Sequence, residues 1–258
     1  MSIHPTAVVD AGAKIDGSCE VGPYCVVGAE VEMGEGCRLI SHVVVRGPTT
    51  IGKQNTFFPF AAIGMDPQDV TYQGEPTRLE IGDHNEIREC VTLNRGTVKG
   101  GGTTRIGSHV LIMAYSHVGH DTVIGDHAML VNGATIAGHV VVEEWAVVGA
   151  LCPVHQYVRI GAHAYIGGGT TITQDVLPFS MTSAARDVRA YGLNSVGLER
   201  RGFSKERIQK LQKAYRVLQG AKLNTSQALE KLKSEPDHGE DVDQLIRFIE
   251  SAERGVIK

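Results

Sequence analysis

The sequence predicts a mainly β fold: a parallel β-helix of hexapeptide repeats, followed by a small C-terminal α-helical domain. Three observations carry this. An apolar residue recurs every six positions along most of the chain. Gly is abundant (31 of 258 residues) while aromatic residues make up only 5%. After Pro178 the six-residue period stops and helical spacing takes over.

The repeat starts at Ile3 and steps through Val9, Ile15, Val21, Val27, Met33, Leu39, Val45, Ile51, Phe57 and Ile63. It resumes at Ile81, Ile87 and Leu93, and again from Ile106 to Ile172, so that all 26 tested positions are apolar. Gly follows the apolar residue in 12 of these hexads, as at Gly22, Gly28, Gly64, Gly125 and Gly161. It is assigned the unusual backbone angles of the corners. The fifth position is small or slender, as at Ala7, Cys19, Cys25, Cys37, Ser116, Ala134 and Cys152. One aliphatic and one small residue per hexad fill a narrow three-sided prism. Three hexads make an 18-residue coil, and the coils stack at the ~4.8 Å strand spacing.

The frame breaks between Ile63 and Ile81, and between Leu93 and Ile106. The first insertion holds Gly74-Glu75-Pro76-Thr77-Arg78. The second holds Gly100-Gly101-Gly102, with no phosphate-loop Lys after it, and reads as a flexible loop. Beyond the repeat, Ile208, Leu211, Tyr215 and Leu218 mark a helix over 204–219 with Ser204 as its N-cap. Two further helices are expected over 225–233 and 241–250. The domain boundaries are accordingly 1–190 for the β-helix and 191–258 for the helical domain.

Composition narrows the function. With 42% hydrophobic and 21% charged residues the chain is neither disordered nor membrane-embedded. No apolar run approaches the ~18 residues of a spanning helix. A net charge of −4 argues against nucleic-acid binding through bulk charge. Cys19, Cys25, Cys37 and Cys152 share the inward phase and read as reduced core residues, which suits a cytoplasmic protein.

The polar residues that a scaffold does not need are its 11 histidines. His42, His84, His109, His127 and His163 occupy the fourth hexad position and are taken as solvated corner residues. The stretch from His117 to Gln156 differs. His120, Gly138 and Gln156 are each 18 residues apart and therefore stack on one wall, with His139 and His155 beside them. Metal binding is disfavoured because no acidic residue completes a ligand set. A nucleophile is disfavoured because Cys152 points inward. General base catalysis remains: His120 as base, Asp121 orienting it, and the bare backbone N–H of Gly138 facing an oxyanion.

The hexapeptide frame, Gly74-Glu75-Pro76-Thr77-Arg78, Asn94-Arg95-Gly96-Thr97, His117-Val118-Gly119-His120-Asp121, Ala137-Gly138-His139, Val154-His155-Gln156 and Arg200-Arg201-Gly202-Phe203 resemble the UDP-N-acetylglucosamine O-acyltransferases. The resemblance spans essentially the whole chain. It implies a left-handed coil and a homotrimer with active sites between subunits. It implies transfer of an R-3-hydroxyacyl group from acyl carrier protein to UDP-N-acetylglucosamine, opening lipid A synthesis, with no cofactor or metal. By motif, His120 is then the base, Asp121 its partner and Gly138 the oxyanion donor. His117, His139, His155 and Gln156 line the cleft. Asp69, Asn194, Arg200 and Arg201 hold the sugar nucleotide, and Gly168 ends the acyl pocket. The chain departs from the family pattern at Thr71, Asn94, Ala184-Ala185 and Val196.

Charge agrees with the donor: seven basic residues face two acidic ones over 199–216, a local +5 on a chain of net −4 that would steer an acidic carrier protein. Competing readings are the related N-acyltransferase of the same pathway, another hexapeptide acyltransferase using coenzyme A, and a non-catalytic scaffold. The N-acyltransferase usually carries an extra N-terminal domain, whereas here the repeat begins at Ile3.

Overall fold

The computed structural model describes residues 2–184, 188–220, 223–235 and 237–257. Two-residue strands such as Ser2–Ile3, Val8–Val9 and Lys14–Ile15 follow one another around a triangular prism. Through most of the prism every third strand joins the same face, giving, among the described residues, sheets of 11, 8 and 10 strands that are parallel except for the closing hairpin of the first. We number the faces by these three opening strands: face 1 from Ser2–Ile3, face 2 from Val8–Val9 and face 3 from Lys14–Ile15. In-register pairs such as Val118↔Ile136 and Ile124↔Val142 keep the 18-residue step.

The inward residues are those of the sequence frame. From Val21 to Ile172 each of them is buried, and Cys19, Cys25, Cys37, Ala134 and Cys152 fill the gaps between them. Burial pushes these thiols up, Cys37 to about 11, so they are inert core groups. Among the described residues of this frame, Ile3, Val9 and Ile15 of the first coil have their apolar side chains partly uncovered.

The role assigned to glycine needs correcting. Left-handed angles occur at the fourth hexad position, where Tyr24, His42, Gln54, His84, His109, His127, Trp145 and His163 have φ between 53° and 59°. Most glycines that follow the apolar residue are there for space, with Gly64, at φ 70°, an exception. A Cβ at Gly22 would lie 1.8 Å from Ile40 O, and one at Gly161 would lie 2.4 Å from Pro178 N. At these two glycines the neighbouring coil approaches too closely for a side chain.

The corner histidines are likewise more than solvated residues. Coil spacing brings successive corner rings to stacking distance, and the edge between faces 3 and 1 carries a ladder. His84, His109 and His127 stack at 4.9 and 4.8 Å, His127 lies 4.0 Å from Trp145, and His163 sits between Trp145 and Phe179. Burial, helped by the nearby Arg201 guanidinium, lowers the His163 pKa to about 4; Asp241 opposes this and Arg207 adds to it. As pH falls from about 6.5 toward 4, the unfolded chain takes up a proton that the folded chain refuses, so stability falls. Thermal unfolding should show a lower Tm at pH 5 than at pH 7, and His163→Phe should flatten that dependence. An equally steep loss in His163→Phe would rule His163 out as its source.

Among the described residues the C-terminal segment holds four α-helices: α1 (Ser195–Arg200), α2 (Lys205–Gln219), α3 (Thr225–Ser234) and α4 (Glu240–Glu250). Ser204 caps α2 by accepting from the Arg207 N–H, as its position in the sequence suggests. Short α1 and the hairpin of Ser180–Ala184 with Val188–Leu193 were not foreseen; six residues are too few for a legible apolar period. Leu198, Ile208, Leu211, Tyr215, Leu232, Leu245 and Phe248 pack into a second core. Val256–Ile257 then returns to pair with Asp175–Val176, covering the last edge of face 3.

Candidate active site

His120 and Asp121 sit on the turn between the face 2 strand His117–Val118 and the face 3 strand Val123–Ile124. His139 stands one coil further along the same edge, over Tyr157, with ring centroids 4.4 Å apart. His120 Nδ1 lies 2.8 Å from Asp121 Oδ2. Asp121 is buried, and the Thr97 N–H donates to its Oδ1 at 2.8 Å while the Thr97 hydroxyl donates to Oδ2 at 2.6 Å. The Asp121 N–H in turn donates to Thr104 Oγ1. A carboxylate held this way accepts from Nδ1–H, which fixes the imidazole tautomer and leaves Nε2 as the lone-pair nitrogen.

Gly138 lies directly under this ring. A Cβ there would meet His120 Cε1 at 2.6 Å and Nε2 at 2.7 Å. The absence of a side chain is therefore what gives the imidazole its place. The Gly138 N–H donates to no group among the described residues.

The second insertion is a built element, which corrects its reading as a flexible loop. Thr97 caps a 3-10 turn over Val98–Gly100, and Gly96 and Gly100 close against the Asp121 carboxylate. A Cβ on Gly100 would lie 2.0 Å from Asp121 Cγ. Thr97 and Thr104, which hold Asp121 in place, are residues of the candidate site that sequence reasoning missed. Thr97 lay inside a quoted motif, but a hydroxyl gripping a carboxylate 24 residues away leaves no periodic trace.

Arg95 ties the two insertions together, donating to Gly64 O at 2.7 Å and Tyr72 Oη at 2.9 Å and pairing with Asp66. Asn94 Nδ2 donates to Asp66 O at 2.6 Å. Asp69 is held below the usual carboxylate range by the Thr71 N–H and hydroxyl, with smaller help from Lys99 and His120. Lys99 Nζ donates to Thr71 Oγ1 at 3.0 Å. His117 bonds Thr92 Oγ1 at 2.7 Å and is lowered by burial and then by the nearby His120. Burial also lowers His139, against a smaller opposing pull from Asp121. His155 and Gln156 stand exposed one coil beyond Gly138, with His155 Nδ1 3.1 Å from Gln156 O.

The premise that no acidic residue joins the histidines also needs correcting. Ligand atoms of His120, Asp121 and His139 lie within 4.8 Å of one another. Both Asp121 oxygens already accept hydrogen bonds from Thr97 and His120, however. That arrangement suits a polarised imidazole better than a ligand set.

Two family models match: one described as UDP N-acetylglucosamine O-acyltransferase, domain 2, over residues 175–257, and bacterial transferase hexapeptide (six repeats) over 103–138. The acyl-[acyl-carrier-protein]--UDP-N-acetylglucosamine O-acyltransferase of Thermodesulfovibrio yellowstonii is 48% identical over 256 residues, covering 99% of each chain. That of Herminiimonas arsenicoxydans is 46% identical over 260 residues, again covering 99% of each. The chain belongs to the UDP-N-acetylglucosamine O-acyltransferase family. The solved Francisella novicida UDP-N-acetylglucosamine acyltransferase superposes with a TM-score of 0.96 at 39% identity, covering 99% of this chain and 93% of that one. The Moraxella catarrhalis O-acyltransferase gives 0.95 at 40%, covering all of both chains. The fold is thus the left-handed β-helix of these acyltransferases.

Other residues that the acyltransferase resemblance implicates lie elsewhere on the prism. Asn194 is buried as the N-cap of α1 and donates to His163 O at 3.1 Å. Arg201 donates to Trp145 O at 2.9 Å, and Arg200 is exposed beside it. With Met129, Val147, Tyr165, Met181 and Val196 they line a groove of about 560 Å³ beside face 1. This is the edge of faces 3 and 1, whereas His120 is on the edge of faces 2 and 3. Gly168 follows the face 1 strand Tyr165–Ile166, on the third edge. Of the departures, Ala185 lies outside the described residues. The basic stretch is less bare than its count implies, because Arg207 pairs with Asp241, Lys210 with Glu206 and Asp237, and Lys213 with Glu235.

Proposed function

We propose that the protein transfers an R-3-hydroxyacyl chain from acyl carrier protein to the 3-hydroxyl of UDP-N-acetylglucosamine, the first step of lipid A biosynthesis, by direct attack. The observation that carries the mechanism is the His120 ring, oriented at Nδ1 by Asp121 and resting on Gly138. His120 Nε2 takes the proton of the attacking hydroxyl as its oxygen bonds the thioester carbonyl carbon. The carbonyl oxygen gains the negative charge and faces the Gly138 N–H. As the C–S bond breaks, the imidazolium returns the proton to the departing thiolate. Buried Asp121 stabilises that imidazolium. His117, His139, His155 and Gln156 line the surrounding cleft, and Asp69 meets the sugar.

We infer a homotrimer with active sites between subunits, and the placement of the other groups supports it. Asn194, Arg200 and Arg201 lie on a different edge of the prism from His120, which fits their being supplied to its site by a neighbouring copy. Face 2 supports association: the outward residues of its strands are Val8, Val26, Val44, Ala62, Thr92, His117, Thr135 and Pro153, none of them carboxylate, Lys or Arg. Faces 1 and 3 carry Glu20, Arg38, Glu32 and Arg105 at equivalent places. Among the described residues no helix is long and apolar enough to cross a membrane, and reduced core cysteines suit the cytoplasm.

The test is incubation with UDP-N-acetylglucosamine and a ladder of 3-hydroxyacyl carrier proteins, with products read by mass spectrometry and the coenzyme A thioesters run in parallel. Ester product from the carrier-protein donors is expected. Preference for coenzyme A, or no product, would overturn the reading. In the same assay Gly168→Met should shift the preferred chain to a shorter one, and an unchanged profile would remove Gly168 from the acyl pocket.

A further inference from the structure

The turn that grips Asp121 has a second output. Thr97 is buried against the carboxylate, yet two residues later the side chain of Lys99 leaves the turn into solvent and reaches the tip of the other insertion at Thr71. The Thr71 hydroxyl also donates to Asp69 Oδ1 at 2.8 Å, so the Lys99 ammonium and the Asp69 carboxylate share one hydroxyl beside the turn that holds the Asp121 partner of His120. The region is otherwise acidic, with Asp66, Asp69 and Asp121. The Arg95 guanidinium is committed to Gly64, Asp66 and Tyr72 and is buried.

On the proposed function, the acceptor carries a diphosphate on the same sugar ring as the hydroxyl that must meet His120. The dianion therefore approaches within a ring's width of the base, toward an edge rich in carboxylates. We infer that Lys99 is an acceptor-binding residue, whose ammonium grips the diphosphate of the sugar nucleotide while Asp69 accepts from the sugar hydroxyls. An ammonium has three donors and Thr71 takes one, so two remain for phosphate oxygens. Because Lys99 shares its turn with Thr97, acceptor binding and the seating of Asp121 are carried by one element.

This rests on the proposed function, and the experiment separates the two. The KM for UDP-N-acetylglucosamine, the KM for the acyl carrier protein and kcat are measured for the parent, Lys99→Met and Lys99→Arg. Nucleotide binding is followed by calorimetry in parallel. Lys99→Met should raise the acceptor KM and Kd by about ten-fold, with kcat and the donor KM within about two-fold of the parent. Lys99→Arg should recover most of the loss, since it keeps the charge. An active parent with an unchanged acceptor KM in Lys99→Met overturns this inference alone. So does a fall confined to kcat, or one that Lys99→Arg does not rescue. A parent that neither binds UDP-N-acetylglucosamine nor turns over overturns both readings.

Discussion

Replacing His120 with alanine should lower kcat by about three orders of magnitude, the middle of the range for loss of a general base. The fold should survive. His120 sits on an exterior turn with its ring outside the prism, and the inward residues flanking it, Val118 and Ile124, are untouched. Unchanged circular dichroism and assembly size, together with lost turnover, is the expected pair of results. Asp121 would be left buried with Thr97 bonded to it and His139 Nε2 3.8 Å away, so a drop in Tm of a few degrees is expected from the lost hydrogen bond. Near-normal kcat in His120→Ala would end the role of His120 as base.

The second large effect is expected from the smallest change. Gly138→Ala adds one methyl group, and the nearest atoms it would meet belong to the His120 imidazole, at 2.6 to 3.0 Å. Real Cβ atoms do not approach that closely, so the ring must move. The Nδ1 to Asp121 bond and the aim of Nε2 cannot both survive that movement. A misplacement of about 1 Å costs on the order of a hundred-fold in rate. Because the strain falls on a side chain at the rim of the cleft and not on the coil backbone, Tm should change little. A hundred-fold loss of kcat with near-native Tm is thus the signature, and wild-type rates in Gly138→Ala would show that the ring is not held on this glycine.

How much of this was legible beforehand follows from what a repeat records. The apolar frame from Ile3 to Ile172 reports the interior directly, because every sixth side chain has the same inward task. The alignment of His120, Gly138 and Gln156 follows from the 18-residue coil, since the coil converts sequence distance into position on an edge. The corner chemistry was misassigned because Gly is the usual residue for φ > 0. In this prism the tight place and the left-handed place are different positions, two apart in the hexad. Glycine such as Gly22 fills the first, and His84 or Trp145 the second. The grip of Thr97 on Asp121 and the reach of Lys99 to Thr71 lay inside the two insertions, where the period is broken and spacing carries no geometry. Arg200, Arg201 and Gly168 could be named from motif resemblance. The edge that carries Gly168 follows from the hexad after Ile166, whereas the location of Arg200 and Arg201 required coordinates, because coil arithmetic does not extend past the last hexad.

The central claim is that the acyl group passes from donor to acceptor in one step, with His120 handling the proton and no side chain carrying the acyl chain. The burial of Cys152, whose thiol is pushed up and donates to Gly167 O at 3.2 Å, fits that claim. The most direct test is a single-turnover reaction with excess protein, quenched over time and read by intact-protein mass spectrometry alongside the nucleotide product. Acylated UDP-N-acetylglucosamine should accumulate with the protein mass unchanged at every time point, and His120→Ala should form neither product nor adduct. An acyl-protein species that rises and decays at the rate of product formation would contradict direct transfer.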